Sequence, residues 1–187
     1  MSTSAAVPQT STSTWNIDPV HSVVEFKVRH MMISNVKGHF SKVTGVLSLD
    51  EGRPENSSVV AEIDVNSIDT HDAQRDGHLK SADFFDAEKF STITFKSTSV
   101  KPTGQASGTV EGDLTIHGVT RKVVLDVEGP TAPGKDPWGN TRVGVTATTK
   151  ISRKDFGLIW NASLETGGVL VGDEVTISLD VQFVKAA

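Results

Sequence analysis

Six histidines are the side chains best suited to chemistry: His21, His30, His39, His71, His78 and His117. Metal sites favour His at tight spacing on one element, as at i and i+4 of a helix. No pair here has that spacing. His71 and His78 are two helical turns apart, and the cation Arg75 between them opposes a bound metal. The spacing predicts no metal site. The densest run of chemical residue types is Arg75-Asp76-Gly77-His78-Leu79. An Arg can clamp a phosphate or carboxylate with two parallel bonds. The same run reads equally as a helix end stapled by Arg–Asp pairing. Arg153 and Asp155 share a face if the strand there continues, and read as a structural ion pair. Ser22 beside His21 fits no nucleophile elbow. Gly38, Gly45 and Gly52 sit in strand and turn context with no helix following, so no phosphate-cradling loop is expected. These patterns nominate no catalytic residue.

Composition narrows the classes further. The chain has 187 residues, 36% hydrophobic and 22% charged, enough to bury one core and too apolar for a disordered tail. Cysteine is absent, which excludes disulfides, Cys-ligated metals and Cys nucleophiles. A net charge of -5 argues against a general nucleic-acid binder, which needs a basic face. No segment approaches the ~20 apolar residues that span a bilayer as a helix. Residues 1–14 are rich in Ser and Thr, with no basic or apolar leader pattern. They read as a disordered lead-in, and 15–187 as one domain. The missing leader predicts a cytoplasmic protein, or a periplasmic one if the native start was trimmed.

The elements that must position these groups are strands. Val24, Phe26, Val28 and His30 alternate with Glu25, Lys27 and Arg29. Similar stripes run through Gly45–Leu49, Val59–Val65, Val110–Ile116, Val119–Val127 and Val143–Ile151. The clearest is Val175, Ile177, Leu179, Val181 and Phe183. Period-two alternation rich in Val, Ile, Thr and Phe predicts half-buried antiparallel strands. His117-Gly118 reads as a hairpin connection and Gly129–Asn140 as a loop. With the segment around Ile93 and Phe95, about eight strands are expected, enough to close a small barrel. His71–Lys80 breaks the alternation. It predicts a short helix capped by Thr70, followed at Ser81–Phe90 by a loop or second helical turn.

A barrel of this width is either filled by side chains or holds one small ligand. The inward stripes include Gly45, Ala61, Gly112 and Ala147, which leave space or simply fit the taper. An apolar cavity would need only a few polar groups to orient a head group. His30 and Arg121 interrupt apolar stripes at strand ends. They are head-group candidates or plain solvent-facing residues.

Several ordered motifs carry a resemblance. They are Trp15-Asn16-Ile17-Asp18-Pro19-Val20-His21-Ser22, Phe26-Lys27-Val28-Arg29-His30 and Val36-Lys37-Gly38-His39-Phe40. Further on come Arg75-Asp76-Gly77-His78-Leu79-Lys80-Ser81-Ala82-Asp83-Phe84-Phe85-Asp86, Gly112–Thr120, Ile151–Leu158 and Val171–Val175. Together these resemble the YceI-like family of polyisoprenoid-binding, lipocalin-like proteins across 15–187. The resemblance implies an all-β fold: an antiparallel eight-stranded barrel with one or two short helices around a long apolar tunnel. It implies a non-catalytic binding protein, a polyisoprenoid or similar amphiphile as partner, no other cofactor, and a homodimer. Many members carry a leader, and this chain departs there. His21, Asp76 and Asp113 would be buried polar anchors.

The strand parity then names the lining: Phe26, Val28, Leu47, Ile63, Phe95, Leu114 and Ile177. Phe84 and Phe85 would close one side, with Trp160 at the mouth. His30, Arg75, His78 and Arg121 would face the head group. Two other classes compete. One is an enzyme of isoprenoid or lipid metabolism using the Arg75–His78 segment as acid and base. The other is a stress-related interaction protein whose barrel is filled.

Overall fold

The alternating stripes seen in the sequence become strands of one continuous sheet in the computed structural model, which describes residues 11–187. In chain order these are β1 (Thr12–Ile17), β2 (Val23–His30), β3 (Ser34–Phe40), β4 (Val43–Asp50), β5 (Ser58–Asp64) and β6 (Ile68–Asp69). The helix α1 (Ala73–Lys80) follows. Then come β7 (Thr92–Gly104), β8 (Ser107–Ile116), β9 (Val119–Glu128), β10 (Gly134–Lys135), β11 (Thr141–Ser152) and β12 (Val171–Lys185).

Eight strands close on themselves in the order β1-β4-β5-β7-β8-β9-β11-β12, with β12 returning to β1. Every neighbouring pair is antiparallel. The barrel is lipocalin-like. β12 is the seam. One edge pairs with β11 from Arg142↔Val184 to Ser152↔Glu174. The other edge pairs first with β2 and then, nearer its C-terminal end, with β1. β1 and β2 therefore lie end to end along it, separated by the 3-10 turn Pro19–His21. β3 and the short β6 extend the sheet beyond β2.

The β1 ladder begins at Thr12↔Asp50, so the ordered barrel starts earlier than Trp15. The first ten residues of the expected lead-in lie outside the described residues. Thr12–Thr14 are strand because their backbone pairs with β4, a long-range partner that local composition does not reveal.

Local chemistry explains the connections. His117 and Gly118 both take positive φ, 53° and 71°, as a tight hairpin between twisted strands demands. The loop 129–140 also contains the two-residue β10, pinned to β11 at Lys135↔Thr141. Helix α1 is capped by Asp72, whose Oδ1 accepts from Arg75 N at 3.0 Å, and not by Thr70. Thr70 is 3% exposed and engaged otherwise: its N–H and hydroxyl both donate to Asp76 Oδ1, at 2.9 and 2.6 Å. Residues 81–90 form successive turns. The other helical pieces are 3-10 turns, the longest at Arg153–Phe156.

Two apolar clusters form the packed parts of the barrel wall and its ends. The larger joins Val43, Ile93, Ile116, Phe156 and Leu158 to Leu79, Phe84 and Phe85, so α1 and the turns after it cap that end. The smaller packs Leu49, Val143, Val181 and Phe183 around Trp15, which is fully buried.

The small inward residues divide. Ala61 and Ala147 line open space. Gly45 and Gly112 do not leave room. A Cβ at Gly112 would sit 2.5 Å from Phe95 Cζ, and one at Gly45 would sit 2.8 Å from Ile17 Cδ1. The large neighbour lies over the bare backbone and fills the space the glycine vacates.

Candidate ligand-binding cavity

A cavity of about 850 Å³ runs through the barrel, near the upper end of the ~300–1,000 Å³ typical of small-molecule sites. Its wall follows the strand parity. Phe26 and Val28 reach it from β2, Leu47 from β4, Ile63 from β5, Phe95 from β7, Leu114 from β8 and Ile177 from β12. Successive side chains of a strand point to opposite faces, so each barrel strand offers every second residue to the interior. The wall is almost wholly apolar.

The polar groups gather at the ends. At the α1 end, His30, Arg75 and His78 all line the cavity, beside Phe84, Phe85 and Trp160. Arg75 and Asp76 are not paired with each other. Both hold Thr70: Arg75 Nε donates to its hydroxyl and Nη2 to its carbonyl, each at 2.8 Å. This fixes the guanidinium at the cavity rim. His78 Nε2 lies 2.9 Å from Asp83 Oδ2. Its ring meets Trp160 edge-on at 4.7 Å and Phe84 at 5.1 Å between centroids. The aromatic trio and the Asp83 contact set the ring's orientation.

Arg121 does not join them. It has inward parity, opposite Leu114, but stands at the start of β9 and is exposed. Its Nη1 donates to the neighbouring Thr120 carbonyl at 3.1 Å. A long cationic side chain at a strand end turns its head to water when no buried partner holds it.

Other expected polar roles also shift. His21 is exposed and paired with Asp18 at 2.9 Å, so it is no buried anchor. Asp113 stands on the outer face of β8 opposite Lys122. Asp76 does anchor Thr70. The Arg153–Asp155 pair is replaced by a different arrangement. Arg153 is 4% exposed. Its Nη1 donates to Leu158 O (2.6 Å) and Trp160 O (2.9 Å), its Nε to Gly172 O (2.8 Å) and its Nη2 to Val171 O (3.2 Å). The acidic neighbour is Asp173, at 3.7 Å. Burial pushes the guanidinium pKa down and Asp173 partly offsets it. One buried cation thus clamps both ends of the loop that carries Trp160 to the cavity. Asn161 assists by bonding Val171 N and O.

Strand parity did not mark the far end, where Pro54, Pro102, Gln105, Pro130 and Pro133 line the cavity. Pro54, Pro130 and Pro133 lie in turns and loops with no period to read, and Pro102 sits at the irregular end of β7, beside a register shift. Nor did any pattern distinguish Arg153 as a clamp, since its carbonyl partners come from a loop without a local signature. Near the other side of the barrel, Arg142 bridges Asp18 and Asp136. Its guanidinium holds both carboxyls well below the usual carboxylate range. Among the described residues no group of three or more His, Asp or Glu is placed to hold a metal ion. No described helix is long and apolar enough to cross a membrane.

The fold has counterparts. The sequence matches the YceI-like domain over residues 15–183. The chain belongs to the YceI-like family. A UPF0312 protein of Vibrio cholerae is 46% identical over 138 residues, covering 74% of this YceI-like chain and 72% of the relative. One from Pseudomonas fluorescens is 43% identical over 142 residues, 73% of this chain and 71% of its own. Among solved structures, the Campylobacter jejuni YceI protein superposes with a TM-score of 0.72 at 30% identity, over 86% of this chain and 91% of that one. Burkholderia cenocepacia BcnA gives 0.75 at 25% identity, over 89% and 98%. A polyisoprenoid-binding domain from Saccharophagus degradans gives 0.66 at 16% identity, over 94% and 100%, a likeness of fold alone. This chain shares its closed barrel with these solved structures.

Proposed function

We propose that this protein sequesters or carries a long isoprenoid lipid, of polyprenyl or quinone type, in the barrel interior without chemically changing it. The observation that carries the reading is the apolar cavity of about 850 Å³ walled by inward stripes of the closed barrel. Each methylene buried there contributes ~0.8 kcal/mol. Ten would supply about 8 kcal/mol, the scale of a micromolar complex before ordering costs. A chain of repeating apolar units suits a wall with few polar groups. A polar or anionic head suits the end where Arg75, His78 and His30 converge. The polyisoprenoid-binding domain that shares the fold supports this ligand class.

Native mass spectrometry of protein purified without detergent, with organic extraction of the same sample, tests the reading. A discrete apolar adduct of isoprenoid mass is expected. Protein without an adduct, whose melting temperature also ignores added prenyl lipids, would overturn it. The His78–Asp83 contact beside the cavity keeps an enzyme reading testable. Turnover of a prenyl phosphate that disappears in a folded His78→Ala variant would favour it.

A further inference from the structure

The turn joining β2 to β3 is built against its own conformational interest. Met31 and Met32 have φ of 51° and 62°. Positive φ disfavours L side chains, and tight hairpins normally place Asn or Gly there. Here two methionines occupy the positions, followed by Ile33. All three are exposed, by 41%, 57% and 72%. Ile33 N donates to His30 O, which closes the turn. The strained positions carry large apolar side chains that remain partly open to solvent.

The tip does not stand alone. Met31 N donates to Leu170 O at 2.7 Å, and a Cβ at Gly168 would touch Met32 Cγ at 3.5 Å. Val169, 38% exposed, therefore joins the same patch. Its neighbours open onto the cavity: His30, Leu170 and Val171 all line it. The patch sits on the rim at the α1 end.

Cations stand behind the apolar tip. Lys27 and Lys37 face each other across β2 and β3, exposed on the outer face. Arg29 is exposed and nearer the tip, its Nη2 bonded to Met32 O at 3.1 Å. None of the three forms an ion pair among the described residues, whereas the nearby carboxylates Asp173 and Glu174 are paired with Lys154 and Lys150. In the loop 157–170 the only carboxylate is Glu165. At ~3.3 Å per residue along a strand, Arg29 lies about 7 Å behind Met31 and the lysine pair about 13 Å behind. Interfacial apolar groups enter a bilayer by ~5–10 Å. That depth would place Arg29 among the phosphates and the lysines within a Debye length of them.

We propose that the β2–β3 tip, with Val169 beside it, docks on an anionic phospholipid surface and sets the rim of the cavity against the membrane. Apolar side chains in front and unpaired cations behind are what a negatively charged bilayer accepts. The proposal rests on the lipid-holding reading for its purpose, and its test is separable from that reading.

Co-sedimentation with vesicles is measured for the full chain, using phosphatidylcholine alone and mixed phosphatidylcholine–phosphatidylglycerol. The wild type is expected to bind the mixed vesicles and to bind the neutral ones more weakly. The double variant Met32→Ser/Ile33→Ser should lose about tenfold or more in affinity for the mixed vesicles. Lys27→Ala/Lys37→Ala should lose about fivefold per cation at low salt there, with little change on neutral vesicles. Circular dichroism and melting temperature verify that these exposed changes leave the fold intact. A wild type that ignores both vesicle types, or a tip variant that binds as well as the wild type, overturns the proposal. Lipid extracted from the same preparations reports on the cavity independently. A loaded barrel that ignores vesicles defeats docking alone, and an empty barrel that binds them through the tip defeats the carrier reading alone.

Discussion

Arg153→Met removes one buried guanidinium and with it four backbone acceptors' partner. Val171 O keeps Asn161 Nδ2 at 2.7 Å, so three carbonyls, of Leu158, Trp160 and Gly172, are left short of this donor. A hydrogen bond from a charged group is worth ~1.5–3 kcal/mol net, which sums to about 4–9 kcal/mol before offsets. Water can reach some of these groups once the side chain shrinks, and the variant no longer bears the desolvation of a cation that is 4% exposed in the wild type. A net loss of about 3 kcal/mol remains, within the range of broken buried polar networks. For a domain of this size that corresponds to a fall of about 6–12 °C in melting temperature. The damage should also be local. Hydrogen exchange across residues 157–171 should quicken more than across β8 or β9, because the clamp holds that loop specifically. Arg153→Lys keeps a charge but not the fork that reaches carbonyls on both sides, and should recover only part of the loss. The assay pairs thermal denaturation with exchange mass spectrometry. A loss under about 1 kcal/mol with unchanged exchange in 157–171 would refute the clamp.

Gly112→Val forces a Cβ to within 2.5 Å of Phe95 Cζ and 2.6 Å of Lys96 O, so urea denaturation should show a loss of about 1–3 kcal/mol or more; an unchanged midpoint would contradict the ring-over-glycine packing. Ala147→Phe places a ring in the cavity, and the lipid extracted per mole of protein should fall sharply while the melting temperature moves little. Equal lipid content would show that the ligand does not pass Ala147. Asp18 and Asp136 are held ionised by Arg142, so their folded pKa values lie below the unfolded value of 3.8. The stability they contribute is present above that value and is lost as pH falls below it. Arg142→Met should therefore flatten the decline in denaturation midpoint below about pH 4, and parallel wild-type and variant curves would count against the coupling.

Much of this was legible because barrel strands obey a strict period. Val175, Ile177, Leu179, Val181 and Phe183 all face the cavity, and reading one strand's parity correctly fixes its whole inward set. His117-Gly118 announced its turn through backbone freedom alone. Thr70 shows where such reading stops. A threonine before a helix looks like a cap, yet Asp72 is equally suited, and the choice is made by Asp76 and Arg75 reaching back from the helix. Arg121 shows a second limit: parity gives direction but not whether a long side chain at a strand end stays inside. Gly45 and Gly112 show a third. A missing side chain reads as empty space, but the neighbour that occupies it comes from an adjoining strand and is settled only by register. The cavity's far end and the Arg153 clamp depend on loops, where neither period nor propensity applies.

The seam strand has a consequence for how the molecule is made. β12 is the last barrel strand to leave the ribosome, yet it supplies an edge to β11, β2 and β1. Ser22 and Gln182, which exchange hydrogen bonds across it, are 160 positions apart. Until β12 arrives, those three strands present open edges, and nearly the whole interior wall is exposed to other nascent chains. Contacts of such separation place the protein among slow folders, since the chain must be looped before it is rewarded. Pairing of that fifteen-residue strand on both edges is what turns an open-edged sheet into a closed container.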